Sequence, residues 1–308
     1  MSVPFIQFHD VYRHFGGKEV LRGLSFEIGR GEIFALLGRN GSGKTTALKI
    51  LLGFLEPHHG EARILGASSH TLSPDLRERI GYVGEGSRLY STIRVQDHVA
   101  FEAATRKAFR RDFAEKAIDR CGLPRKSLVG VLSRGQRAQL ALILAVSAEP
   151  DVLVFDDPAM GLDVVMRREL LDVMIDLLSE KGCGVLFSSH ILTDVERIAD
   201  RVGILHGGRL IVDATLSDVK TRLERRLWTG SSPGLAPPPV EALLVSRRRR
   251  DGQELLLLDA KPEDLATLSN GGARLSAPEP LSLEEAFLLL VTDGGEAGIL
   301  PRSQEVSS

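Results

Sequence analysis

The chain has 308 residues, 43% hydrophobic and 26% charged, the balance of a folded globular protein with room for one large domain and something smaller. A formal net charge of −2 offers no general attraction to nucleic acid or anionic lipid, and two cysteines, Cys121 and Cys183, exclude a disulfide framework. No apolar run approaches the ~18 residues of a membrane span and MSVPFIQFHD lacks the segments of a signal peptide, so a cytoplasmic location is expected, with any membrane role exercised through a partner.

In chain order, Phe5 to Val11 alternates loosely and predicts a strand, with Tyr12 to Gly17 as a turn and Leu21 to Ile28 as a second strand. Phe15, just ahead of a glycine-rich loop, has two readings: it stacks on a bound base, or it plugs the core. Ile33 to Leu37 is continuously apolar, as a strand buried on both faces of a parallel sheet is. Then come Gly38, Arg39, Asn40, Gly41, Ser42, Gly43, Lys44 and Thr45, followed by the helical run Thr46 to Leu52. Glycines that turn backbone N–H groups inward, at the positive end of a helix, form a phosphate cradle. The spacing G-x-x-x-x-G-K-T assigns Lys44 to the β- and γ-phosphates and the Thr45 hydroxyl to Mg²⁺, and the strand and helix around it supply the required context.

Short strands are expected at Gly60 to Leu65 and Ile80 to Val83, with Glu85 after the second, and a helical insertion from about Arg94 to Arg120. Its run Arg106 to Arg111 reads as a solvated face. Leu132-Ser133-Arg134-Gly135-Gln136 opens a helix, with Ser133 where an N-cap belongs. Val152 to Phe155 reads as a buried strand that delivers Asp156 and Asp157 to a ligand edge, with Asp156 as a Mg²⁺ ligand. After Gly161-Leu162-Asp163 and a helix from Val164, the strand Val185 to Phe187 ends near His190, again at a C-terminal strand edge, where open α/β sheets bind ligands. Beyond it, Val202 to Ala214 predicts a hairpin turning at Gly207-Gly208, and Ser217 is expected to cap a helix to about Arg226. Residues 229–239, rich in Ser, Gly and Pro, read as a linker, and 240–293 as a small C-terminal domain whose four arginines, 247–250, join two strands. Ser282 and Glu285 form a capping box ahead of a closing helix, and 294–308 read as a disordered tail.

From Val3 to Arg222 the order of these motifs resembles an ATP-binding subunit of an ABC transporter, and the closing helix resembles those of exporters that work with a separate ABC type 2 permease. The resemblance implies an α/β fold, a P-loop NTPase of ABC type. Its RecA-like mixed sheet core would carry a helical subdomain (about 87–148) and an antiparallel β subdomain within 1–228, plus a small α+β extension. It implies an A-loop aromatic at Phe15, a Walker A loop from Gly38 through Thr45 with Thr46 behind it, a Q-loop residue at Glu85 and a signature at Leu132 to Gln136. Walker B would be Val152 to Asp156, the D-loop Met160 to Asp163 and the switch histidine His190. It further implies ATP and Mg²⁺ as ligands, and a head-to-tail dimer with a second copy or a homologous subunit. In that dimer Ser133, Gly135 and Gln136 meet the nucleotide held by the partner. A membrane permease would be docked near Glu85 to Arg94, placing the chain at the inner face of the cell membrane, with no nucleic-acid partner.

The sequence departs from that pattern at three positions: Arg134 stands where glycine is usual; Glu85 stands where glutamine is usual, still able to ligate Mg²⁺ but adding a negative charge near the γ-phosphate; and Asp157 stands where a glutamate polarises the attacking water. One methylene is about 1.5 Å, and a misplacement of ~1 Å can cost on the order of a hundredfold in rate, so either hydrolysis is slow or the backbone advances to compensate. Two other readings follow: a degenerate ATP-binding subunit that works with a competent partner, and a soluble ABC-type ATPase outside transport. The latter fits poorly with one Walker A loop and no heptad insertion.

Overall fold

The computed structural model describes residues 3–86, 89–179, 182–229, 237–250 and 252–292. They form two compact units, one running to Asp200 and including Gly207–Arg209, the other comprising Arg201–His206 and the residues from Leu210 onward.

In the first unit the chain runs β1 (Ile6–Phe15), β2 (Lys18–Ile28), β3 (Ile33–Leu37), α1 (Lys44–Leu51), β4 (His59–Ile64), β5 (Ala67–Ser68), α2 (Pro74–Glu78) and β6 (Ile80–Val83). The helices α3 (Val95–Thr105), α4 (Arg111–Arg120) and α5 (Arg134–Ser147) follow, then β7 (Val152–Asp156), α6 (Val164–Ser179), β8 (Gly184–Ser189) and α7 (Leu192–Ile198). The half-polar strands pair antiparallel in the order β2-β1-β4-β5, while the continuously apolar ones lie parallel in the order β3-β8-β7-β6. Continuous apolarity is what a strand covered on both faces requires, and every residue of β7 and β8 is buried. The two sheets meet through a stack of rings: Phe8 and Phe26 have centroids 4.6 Å apart, and Phe26 and Phe34 4.9 Å apart. The turn expected at Tyr12 to Gly17 is shorter than the sequence suggests. β1 continues to Phe15, which pairs with Lys18, and only Gly16 and Gly17 turn, both with positive φ, as a two-residue hairpin loop demands.

Charged residues between α3 and α4 pair across the surface, Arg106 with Glu102, Lys107 with Asp75 and Arg111 with Glu115, as a solvated face does. Ser87 and Arg88, at the edge of the expected helical subdomain, lie outside the described residues.

The second unit holds the hairpin β9 (Arg201–His206) and β10 (Arg209–Thr215), α8 (Leu216–Arg222), β11 (Leu223–Thr229), β12 (Leu243–Arg249), β13 (Gly252–Leu258), α9 (Pro262–Ser269), β14 (Arg274–Leu275) and α10 (Leu283–Thr292). The helix expected from Ser217 to about Arg226 is corrected at both ends. Thr215 is its cap, accepting from Asp218 N at 3.0 Å, and it stops at Arg222 because β11 leaves to pair with β13 and β14. Cross-strand pairing outweighs local helix propensity there. The arginine run is likewise not a loop: Arg247 to Arg249 lie in β12, and Arg249 pairs with Glu254 at 2.7 Å. Most of the expected linker (230–236) and the expected tail lie outside the described residues.

Trp228 of β11 anchors this unit's core with Leu255, Leu257 and Leu268, and its indole N–H donates to Leu268 O at 2.7 Å. Trp228→Phe removes that donor and leaves a buried carbonyl without its partner, a loss expected at about 1–3 kcal/mol. Urea unfolding followed by far-UV circular dichroism reads it as a lower midpoint for the second unit; an unchanged midpoint refutes the assignment.

Candidate functional site

Parallel register builds the site. Leu36 and Leu37 at the end of β3 pair with Ser188 and Ser189 of β8, Asp156 at the end of β7 pairs with Ser188, and Val83 at the end of β6 pairs with Phe155. The C-terminal ends of all four strands therefore share one edge, and the loops leaving them at Gly38, Gly84, Asp157 and His190 open on the same side. This edge is where parallel α/β sheets bind ligands.

The loop from Gly38 to Gly43 leads into α1 through Gly43, which sits at the N-cap with φ 112°. A Cβ there would come within 2.9 Å of Val20 O and 2.8 Å of a Leu21 methyl, so only glycine lets the loop close against β2. Lys44 is buried and folds back over the loop, Nζ donating to Gly38 O at 2.7 Å and to Arg39 O at 3.3 Å, which leaves one of its three donors for a ligand. Burial pulls the Lys44 pKa down, while Asp157 and Asp156 pull it back up. The Ser42 hydroxyl is buried without a hydrogen-bond partner in the same loop, a polar atom suited to a ligand's oxygen.

Opposite the loop stand the acids. Thr45 Oγ1 donates to Asp156 Oδ1 at 3.1 Å, and Ser188 Oγ donates to the same oxygen at 2.9 Å while accepting from Asp157 N at 3.1 Å. Ser188 is fully buried, and its one hydroxyl ties the Asp156 carboxylate to the Asp157 backbone N–H. Asp157 has φ 49°, and its Oδ2 lies 2.5 Å from His190 Nδ1, a distance at which the ring N–H donates to the carboxylate. Burial pushes the Asp157 carboxyl upward, an effect that His190 and Lys44 oppose. Its other oxygen, Oδ1, is buried without a partner.

A cleft of about 470 Å³ is lined by Asn40, Gly41, Gly43, Lys44, Thr45, Thr46, Asp156, Asp157 and Ser188, together with Phe15, Lys18 and Val20. Phe15 is 46% exposed, so the plug reading gives way to a ring presented at the cleft. Glu85 lines this cleft and a second of about 450 Å³, with Arg134, Arg137, Met160 and Gly161. Ser133, Gly135 and Gln136 do not line the first cleft. At the start of α5 they form a capping box, Ser133 Oγ accepting from Gln136 N at 3.1 Å and Gln136 Oε1 from Ser133 N at 3.0 Å. Gly135 packs so closely that a Cβ would meet Met166 Sδ at 2.8 Å. Ser188 escaped the sequence reading; the signal was the polar pair Ser188-Ser189 ending an otherwise apolar strand.

Residues 21–160 match the ABC transporter family. The Nod factor export ATP-binding protein I of Burkholderia thailandensis is 31% identical over 303 residues, covering 94% of this chain and 98% of that protein. The bacitracin transport ATP-binding protein BcrA of Bacillus licheniformis is 29% identical over 220 residues, covering 71% and 72%. Among solved structures, one described as an ATP binding subunit of an ABC transporter superposes with a TM-score of 0.62 at 28% identity, covering 70% of this chain and 92% of that one.

Ser188→Ala strips Asp156 Oδ1 of a donor and the half-buried Asp157 N–H of its acceptor, and is expected to destabilise the first unit by about 1–3 kcal/mol. A thermal melt in which the variant unfolds with the parent rules out the bridging role.

Proposed function

The chain belongs to the ABC transporter family of ATP-binding subunits, and we propose that it binds ATP with Mg²⁺ in the β3–α1 cleft and hydrolyses it to drive export through a separate membrane permease. The observation that carries this reading is the convergence of Lys44, Thr45, Asp156 and Asp157 on one cleft of about 470 Å³, with His190 bonded to Asp157. Such a cleft offers a cation and backbone donors at one wall and carboxylates at the other, the arrangement phosphoryl transfer uses for positioning and charge neutralisation.

Thr45 and Asp156 fit Mg²⁺: their 3.1 Å contact sets two oxygen donors side by side. Mg²⁺ takes few protein ligands and completes its shell with phosphate oxygens and water, so this pair is a sufficient protein share. When bound, Mg²⁺ supplies charge neutralisation of the phosphates. Lys44 and the loop N–H groups hold the β- and γ-phosphates, and Phe15 receives the base. Asp157 takes a proton from the attacking water as its oxygen bonds to the γ-phosphorus and the bond to the bridging oxygen breaks, giving ADP and phosphate. His190 fixes the direction of the Asp157 carboxylate, and Glu85 lines the γ-phosphate end.

Ser133, Gly135 and Gln136 lie away from their own chain's cleft lining, which supports a head-to-tail pair in which they complete the partner's site. Among the described residues no helix is long and apolar enough to cross a membrane. In this reading membrane attachment runs through a permease docked around Glu85 to Arg94, at the inner face of the cell membrane, as the family resemblance implies. The similarity to a Nod factor export protein along almost the whole chain supports the exporter reading.

Lys44→Ala should weaken Mg-ATP binding by more than tenfold in titration calorimetry, consistent with loss of a charge-assisted contact of about 1.5–3 kcal/mol. Asp157→Asn should keep ATP affinity yet cut phosphate release by about 10²- to 10⁴-fold, the usual span of a general base. The same variant with ATP should sediment as a dimer, where the nucleotide-free protein is a monomer. Phosphate release that survives Asp157→Asn removes Asp157 from the base role; a parent with no measurable release points to a nucleotide-binding subunit that works beside a competent one.

A further inference from the structure

Arg13 stands two residues before Phe15 on β1, so both side chains leave the same face of the strand. Its guanidinium carbon lies 4.7 Å from the centroid of the Phe15 ring. The other end of the group is tied down: Nη1 donates to Glu56 O at 2.8 Å and lies 3.4 Å from His58 Nδ1, and the His58 ring is stacked on His14 with centroids 3.6 Å apart. Arg13 Nε is buried without a hydrogen-bond partner. An orphaned buried donor costs free energy, so the plane of this guanidinium is not set by hydrogen bonding alone. What it does in that position is cover one face of Phe15.

Phe15 is 46% exposed at the cleft, and with one face under Arg13 its remaining surface is the opposite face and edge. The ring sits at the end of β1, where Gly16 and Gly17 turn and register shifts interrupt the pairing with β2 upstream. Backbone pairing of Phe15 with Lys18 fixes the Cα and not the tilt of an exposed ring, and a cation stacked on the ring restricts that tilt. A cation on one face also draws π density toward itself, which favours an electron-rich heteroaromatic ring on the other.

We propose that Arg13 is a positioning residue for base recognition: by backing Phe15 it sets affinity for the adenine end of the nucleotide and leaves the phosphate end untouched. The inference rests on the reading of Phe15 as the base-stacking residue. It makes Arg13 a determinant of how strongly the cleft discriminates a nucleotide from a bare polyphosphate.

Calorimetric titration of the full chain with Mg-ATP and, separately, with Mg-tripolyphosphate tests it. Arg13→Met is expected to raise the Kd for Mg-ATP by about two- to fivefold, the fold-change of an exposed cation–π contact, with the Kd for tripolyphosphate unchanged. Arg13→Gln, which keeps a donor for Glu56 O but no charge, should behave alike and stands in if Arg13→Met does not fold. Equal weakening of both ligands marks a general structural effect and overturns the inference, as does an Arg13 variant that binds Mg-ATP as tightly as the parent or more so. Phe15→Ala separates the two layers. If it leaves Mg-ATP binding intact, the base-stacking reading fails; if it selectively weakens Mg-ATP while both Arg13 variants are silent, only the role of Arg13 fails.

Discussion

Everything at the cleft depends on the register of three parallel strands. With Leu37 opposite Ser189 and Asp156 opposite Ser188, the glycine loop, the two acids and His190 leave the sheet within one layer of residues. A slip of one residue would turn Asp156 to the other face of the sheet and take the Ser188 hydroxyl from between the Asp156 carboxylate and the Asp157 N–H. Burial of β7 and β8 on both faces resists such a slip, because every side chain along them is packed. The apolar run that reads as a mere core strand thus doubles as the ruler for the chemistry.

That placement creates an electrostatic problem which the surrounding residues contain. Two carboxylates at adjacent positions repel, and burial disfavours the charged form of Asp157. Lys44 faces the opposite penalty, its charge disfavoured by burial and favoured by the same two acids. Neutral hydroxyls carry much of the remaining load: Thr45 and Ser188 both donate to one Asp156 oxygen, and His190 donates to Asp157. The partnerless oxygen of Asp157 and the partnerless hydroxyl of Ser42 join the third donor of Lys44 as polar groups open to a ligand.

The glycine loop, the buried strands and the acids after β7 were legible because each is a short pattern with one physical reading. Ser188 was harder, since a serine in a strand announces nothing until register brings it against the Asp156 carboxylate, 32 residues upstream in sequence. Arg13 was hidden for a related reason: its partners Glu56 and His58 come from the segment that leads into β4, the neighbour of β1 in the sheet, and no local spacing marks them. The helix expected through Arg226 failed because β11 draws its stability from β13, residues that lie beyond a proline-rich stretch. Contacts that depend on distant sequence were the ones missed, while those encoded in a turn or a run were found.

Asp157 is where local and distant constraints meet. Its φ of 49° lies in the left-handed region, which short polar side chains such as Asp tolerate better than longer ones because they bond locally. The backbone there is not free to relax, since Asp157 N is tied to the buried Ser188 hydroxyl and the next residue is Pro158. A carboxylate one methylene shorter than the family's usual glutamate therefore sits on a fixed backbone point, and its Oδ2 already meets His190 at 2.5 Å. Shortening the side chain has not broken the contact between acid and histidine. The atom without a protein partner is the other oxygen, Oδ1, so the base role proposed for Asp157 rests on that atom rather than on the one bonded to His190.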